Sequence, residues 1–169
     1  MIISVCSVAT QKSLSEFLFL KYTFEQYHKA EWFVATDDFA AKALEKFENV
    51  TVINKIKTDD CSHGVNDPRK NRLFLELIMT KFDALEASIK KNGYGLFLDS
   101  DIFFTNPLES RFIDLLHNPE IDAILSPHMT NNLGLEAQVG HYNVGFFAVR
   151  NVKYLEQHKA MSWKSKELG

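Results

Sequence analysis

Two carboxylates one residue apart, Asp99 and Asp101, close the apolar run Gly95–Leu98 and are followed at once by Ile102, Phe103 and Phe104. In an extended backbone, residues i and i+2 project to the same side, so the pair is expected to converge on one point beyond the strand. Two anions that close repel each other unless something positive sits between them. A hard divalent cation such as Mg²⁺ or Mn²⁺ prefers oxygen ligands and commonly takes only one or two carboxylates, leaving its other positions to water and phosphates. The chemistry expected of the pair is therefore a metal-held phosphate ligand.

The elements that must carry this pair are legible on either side. Residues 2–8 read as a buried first strand, and Ser13-x-x-Glu16 ahead of Phe17 and Leu18 reads as a capping box opening a helix to about His28. Residues 32–36 give a second strand, after which Asp37 or Asp38 caps a helix with Phe39, Ala43, Leu44 and Phe47 on one side. Residues 50–53 give a third strand, and the polar stretch 54–66 is a surface loop. Asp67-Pro68 starts a long helix, with Phe74, Ile78, Phe82, Leu85 and Ile89 at helical spacing and Asn92-Gly93 as its stop. That helix feeds the carboxylate strand, which Asn106-Pro107 is expected to end. A helix around 112–116, strands at 123–126 and 144–149, and a closing helix capped by Asn151 complete the chain. Alternating strands and helices argue for an α/β layer fold with a mainly parallel sheet, in one domain. Ligands of such sheets gather beyond the carboxyl ends of the strands, where both Asp99-Ser100-Asp101 and the turn after the first strand lie.

Composition limits the partners. With 169 residues, 46% of them hydrophobic and fourteen of them Phe, the chain can fill one core. Nineteen Lys and Arg against twenty-two Asp and Glu leave a net charge of −3, which offers no broad footprint for nucleic acid or anionic membrane. No apolar stretch approaches the roughly 20 residues of a membrane span, and residues 1–8 lack a basic leader and a cleavage pattern, so the expected compartment is the cytoplasm. Cys6 and Cys61 are too few for a disulfide framework and are expected as free thiols.

Two motifs resemble a known family. Leu96-Phe97-Leu98-Asp99-Ser100-Asp101-Ile102-Phe103-Phe104-Thr105-Asn106-Pro107-Leu108 is similar to the apolar-DxD-apolar element of glycosyltransferases of the GT-A fold, the nucleotide-diphospho-sugar transferases, including the trailing Asn-Pro-Leu. Tyr142-Asn143-Val144-Gly145-Phe146-Phe147-Ala148-Val149-Arg150 is similar to the Asn-x-Gly-apolar strand that follows it in that family, and the order and separation also fit. The resemblance runs over most of the chain and implies the GT-A fold, a mainly parallel central sheet flanked by helices, over 1–169 as a single catalytic domain.

The roles follow from the resemblance. Asp101 would bind a divalent metal, Mn²⁺ or Mg²⁺, that bridges the two phosphates of a nucleotide-diphosphate sugar, with a UDP-sugar favoured. Asp99 would contact the ribose and share the metal or its waters, with Ser100 between them in the same donor-binding element. Lys81, on the long helix, would stand near the nucleotide sugar. Ala9 and Thr10 would meet the base and ribose, and Asn143 and Gly145 the transferred sugar, where glycine lets the backbone approach closely. Metal and Lys81 would together stabilise the departing diphosphate while an acceptor hydroxyl, of unknown identity, attacks a sugar carbon with oxocarbenium character. The sequence departs from the family pattern at its end. Related enzymes complete the metal site with a histidine or other ligand near the C-terminus, whereas here Gly169 follows soon after the Asn143 strand and His158 falls in an expected helix. Three readings stay open: a C-terminally truncated fold, a natural minimal form, or a domain that binds nucleotide sugar without turning it over; an oligomer could cover apolar surface left by a missing segment.

Blander readings compete at each residue. A lone D-x-D is more often a loop or capping pair, and only the flanking strand, the Asn-Pro-Leu and the Asn143 motif lift it above that. Lys81 could lie on the wet face of its helix, and Asn143 and Gly145 could simply start a strand. Cys61-x-His63 has no second ligand pair to make a zinc site. Arg69, Lys70 and Arg72 read as a solvated helix start, and His128 and His141 as polar loop residues. Two other function classes stay open: a non-catalytic sugar-nucleotide-binding module, and an aspartate-nucleophile phosphohydrolase. The second usually wants a small hydroxyl or branched residue two positions after the second Asp, where this chain has Phe103.

Overall fold

The apolar strands assemble into one sheet of six in the order β3-β2-β1-β4-β6-β5. They are β1 (Ile2–Ala9), β2 (Lys29–Thr36), β3 (Val50–Asn54), β4 (Gly95–Leu98), β5 (Ala123–Pro127) and β6 (Tyr142–Val149). The computed structural model describes residues 1–57, 68–127 and 142–167, the side chains of 68–75, 158 and 161–167 excepted. β1 pairs in parallel with β2 and β4, and β2 with β3, whereas β6 runs antiparallel to β4 and β5. The sheet is therefore mainly parallel, as expected.

The period-2 alternation of these strands divides the core into two layers. Val5, Trp32, Val34, Leu96 and Leu98 face helices α1 (Leu14–Glu25), α2 (Asp38–Leu44) and α4 (Ser110–His117), through Phe17, Leu20, Phe24, Leu44 and Leu116. Cys6, Phe33, Ala35, Phe97 and Phe147 face α3 (Pro68–Asn92) and α5 (Val152–Glu167), through Met79, Phe82, Leu85, Ile89 and Leu155. Burial pushes the Cys6 thiol up to about 12, so it stays protonated and packs as a small apolar side chain.

Several local expectations are corrected. Ser13 is the N-cap of α1 but forms no capping box: its Oγ instead accepts the N–H of Thr10 at 3.0 Å, closing the turn between β1 and α1. α2 buries Ala40, Ala41 and Leu44, and Phe47 just beyond it packs against the same core, so Leu44 and Phe47 lie inward as expected, whereas Phe39 is 53% exposed. β4 ends at Leu98, not at Asn106, and a segment without regular structure runs from there to α4. Other starts and stops match: Asp37 caps α2 by accepting from Ala40 N–H at 2.8 Å, Gly93 takes φ +79° after α3, and Asn151 Oδ1 accepts from Lys153 N–H at 3.0 Å. Cys61, His63, Asp67, His128 and His141, and the side chains of Arg69, Lys70, Arg72, Phe74 and His158, lie outside the described residues.

One polar clasp holds α1 to the far edge of the sheet. Glu25 accepts from Lys21 Nζ at 2.6–2.7 Å, from Trp32 Nε1 at 2.9 Å and from Asn49 Nδ2 at 2.7 Å. Removing the carboxylate strands a buried ammonium and an indole N–H together. Glu25→Ala should therefore lower unfolding free energy by about 3 kcal/mol, read as a shift of the urea midpoint at unchanged slope.

Candidate active site

The parallel strands place the ends of β1, β2, β3 and β4 along one edge of the sheet, and the antiparallel course of β6 brings its beginning to that same edge. Asp99-Ser100-Asp101 and Asn143-Val144-Gly145, forty-odd residues apart in sequence, are thereby neighbours. The link is direct: Asp99 N–H donates to the Gly145 carbonyl at 2.8 Å, continuing the β4–β6 ladder one residue past the strand. On the other side, Ser7 Oγ–H of β1 donates to the Leu98 carbonyl at 2.7 Å and fixes the last residue before the pair.

Asp99 keeps the alternation of its strand, so its side chain leaves the sheet on the face that Phe97 occupies, towards α3. There Lys81 meets it. Lys81 Nζ donates to Asp99 Oδ1 at 2.7 Å and stands 4.7 Å from the centre of the Phe97 ring. The lysine side chain is 14% exposed and the aspartate side chain 39%. Lys81 is therefore not on the wet face of its helix. A primary amine held between an aromatic face and a carboxylate is a fixed positive charge, with one Asp99 oxygen, Oδ2, left for another partner.

That oxygen owes its place to a missing side chain. A Cβ built on Gly145 would overlap Asp99 Oδ2 and lie 3.0 Å from Asn143 Oδ1. Asn143 Oδ1 in turn accepts the Gly145 N–H at 2.7 Å, folding the asparagine back over the glycine. The amide nitrogen of Asn143 remains as a donor. Lys81, Asp99, Asn143 and Gly145 thus form one connected cluster.

Asp101 is placed differently from the expectation. The backbone does not stay extended through the pair: it turns at Ser100-Asp101, with Ile102 N–H donating back to the Asp99 carbonyl at 3.2 Å. The turn, not the strand pleat, determines how the two carboxylates stand to each other. Asp101 is exposed and Ser100 half-buried.

The turn after β1 also differs. Ala9 is the last residue of the strand, 0% exposed and part of the core, and Thr10 is 5% exposed. The residue presented to solvent there is Gln11, whose N–H donates to Asp37 Oδ2 at 2.7 Å. Asp37 therefore ties the ends of β1 and β2 together while capping α2, a link across two elements that spacing in the sequence does not reveal.

The donor set suits a hard divalent cation: an exposed carboxylate at Asp101 and a half-exposed one at Asp99, whose Oδ2 takes no hydrogen bond among the described residues, beside a fixed ammonium. Among the described residues no group of three or more His, Cys, Asp or Glu gathers around one point. Two carboxylates leave the remaining positions of such an ion to phosphate and water, which is the usual arrangement for Mg²⁺. Next to the cluster lies an apolar cavity of about 140 Å³, lined by Ile78, Phe82, Tyr142, Phe147 and Tyr154, with Lys81 and Asn143 on its polar wall.

If Lys81 supports Asp99 as a ligand, Lys81→Met should leave the helix packed while weakening metal-dependent nucleotide binding about 10–100-fold, the usual cost of losing a partner of a ligating carboxylate. Titration calorimetry with and without chelator reads it.

No protein-family model matches the chain, and no curated protein matches its sequence. Solved structures do resemble it. The apo form of glycosyltransferase GlyE from Streptococcus pneumoniae TIGR4 is 13% identical over 99% of this chain, with a TM-score of 0.59. The galactosyltransferase LgtC in complex with donor and acceptor sugar analogs is 11% identical over 98% of this chain, with a TM-score of 0.64. The chain spans 38% of the length of GlyE and 65% of that of LgtC. The expected architecture is thereby met: the chain has the GT-A glycosyltransferase-like fold.

Proposed function

We propose that this chain, as one domain, is the donor-binding part of a metal-dependent glycosyltransferase that moves a sugar from a nucleotide-diphosphate sugar to an acceptor hydroxyl. The observation that carries the reading is the cluster of Lys81, Asp99, Asn143 and Gly145 beside the exposed Asp101, at the edge of the sheet where ligands of such folds collect. Asp101 and the free oxygen of Asp99 would hold Mn²⁺ or Mg²⁺. When bound, that ion would neutralise charge developing on the diphosphate. Lys81 holds Asp99 in place and adds fixed positive charge beside the phosphates. The Asn143 amide would donate to a sugar hydroxyl, and Gly145 keeps the space for Asp99 open. A UDP-sugar is the proposed donor.

The test is turnover: UDP-, GDP- and CDP-sugars with Mn²⁺ and a panel of sugar acceptors, following nucleotide release and glycosylated product. Acceptor-dependent release of one nucleotide supports the transferase. Binding of one sugar nucleotide with no release would replace it by a non-catalytic binding module, and hydrolysis of simple phosphate esters by a phosphohydrolase.

A further inference from the structure

The segment that carries Asp101 has no regular structure between β4 and α4, yet its backbone is anchored at both ends. The first anchor is the pairing of Asp99 with Gly145 described above. The second comes wholly from α1 and the residues just after it. Phe104 N–H donates to Thr23 Oγ1 at 3.2 Å, Tyr27 Oη–H donates to the Thr105 carbonyl at 2.7 Å, and Leu108 N–H donates to His28 Nε2 at 2.8 Å. Ring contacts reinforce these, with Phe24 edge-on to Phe104 at 5.0 Å and Phe19 6.0 Å from Phe103. In these three bonds the partners of Thr23, Tyr27 and His28 are backbone groups of 104–108, not the carboxylates.

We propose that Thr23, Tyr27 and His28 form a positioning clasp for the proposed donor site, holding residues 104–108 so that Asp101 stands at a fixed place relative to Asp99. The inference rests on the donor-site reading. A loop held only at Asp99 would have to be ordered each time a ligand bound, and that ordering would be lost from the affinity. Held at both ends, Asp101 is ready before the ligand arrives.

His28 makes the clasp conditional. Its Nε2 accepts from Leu108, so the ring is the neutral tautomer with hydrogen on Nδ1. Protonation would set an N–H against an N–H and break the contact. Burial holds the His28 pKa below its ordinary 6.5. Of the charged groups around it, Glu25 and Lys29 line the same surface depression, Glu25 being occupied by Lys21, Trp32 and Asn49, and the exposed Glu109 follows Leu108 in the chain. Because the folded-state pKa is depressed, the contact is fully present above 6.5 and is lost as the pH falls through the lower value.

The test uses the whole chain in four forms: wild type, His28→Leu, His28→Gln and Tyr27→Phe. Amide exchange of Phe104 and Leu108 is measured without ligand at pH 7, and Mn²⁺-dependent affinity for UDP-glucose over a pH series falling from 7.5. His28→Leu and Tyr27→Phe should each speed exchange about tenfold and weaken the affinity about fivefold, the loss of one hydrogen bond. His28→Gln, which keeps an acceptor but cannot be protonated, should retain affinity at pH 7.5 and lose less of it than wild type does as the pH falls below 6.5. Faster exchange with unchanged affinity would overturn the positioning role alone, and unchanged exchange would overturn the clasp itself. A wild type that binds none of the UDP-, GDP- and CDP-sugars with Mn²⁺ would overturn the donor-site reading, whereas the amide exchange, measured without ligand, still decides whether the clasp exists.

Discussion

Asp101→Ala should abolish metal-dependent nucleotide binding, a loss of about 100-fold or more, equivalent to about 2.7 kcal/mol, while leaving thermal unfolding within a degree or two of wild type. The asymmetry follows from where the residue stands. Asp101 is exposed, sits in a turn beyond the end of β4, and belongs to neither core layer. Its removal therefore creates no cavity and strands no buried partner, the mechanisms by which single substitutions cost most stability. Asp99→Asn should be milder in binding, since one acceptor oxygen remains, but it weakens the contact with Lys81. A collapse of the fold in both variants would instead assign the pair a structural role. Affinity measured beside the unfolding midpoint separates the two.

Gly145→Ala is the second large effect, and it comes from adding one methyl group. The new Cβ would overlap Asp99 Oδ2, the far end of a short side chain that can swing aside. Gly145 does not sit in the left-handed region, which among the described glycines only Gly93 occupies, so the backbone tolerates alanine. The cost in stability should therefore stay below about 1 kcal/mol. The displaced carboxylate, however, can no longer keep both its Lys81 contact and its free oxygen in place. Metal-dependent nucleotide affinity should fall about 10–100-fold, with Asn143→Ala, which leaves Asp99 where it is, serving as the comparison. An alanine variant with wild-type affinity would show that the closeness of Gly145 to Asp99 has no bearing on the site.

The sheet was readable because each strand is a short apolar run bounded by turn residues, and the two core layers follow from alternation, as with Leu96 and Leu98 on one side and Phe97 on the other. The carboxyl-edge location of Asp99 followed from the same reasoning. What could not be read was anything that depends on pairs distant in sequence. The resemblance puts Lys81 near the donor, but helical periodicity alone leaves it equally on the wet face, because it says nothing about an aspartate eighteen residues on. The role of Gly145 depends on the antiparallel register of β6 against β4, which no local pattern encodes. Ser13 satisfied a capping-box pattern and yet bonds Thr10, since a turn closing tightly on β1 competes for the same hydroxyl. Phe39 is apolar and so reads as inward, whereas α2 turns Ala40, Ala41 and Leu44 to the core and leaves Phe39 to solvent. The clasp from α1 was equally hidden: His28 and Tyr27 read as the end of a helix, and their partners lie some eighty residues away.

The proposed donor site stands or falls with the dependence of nucleotide binding on a divalent ion held at Asp99 and Asp101. The direct measurement is titration calorimetry of this chain with UDP-glucose in Mn²⁺ and again in excess chelator, with Asp101→Ala run in parallel. A metal held by the two carboxylates predicts saturable binding that disappears both with chelator and in the variant. Binding of equal strength in all three conditions would contradict the metal site, and with it the role proposed for the carboxylate pair.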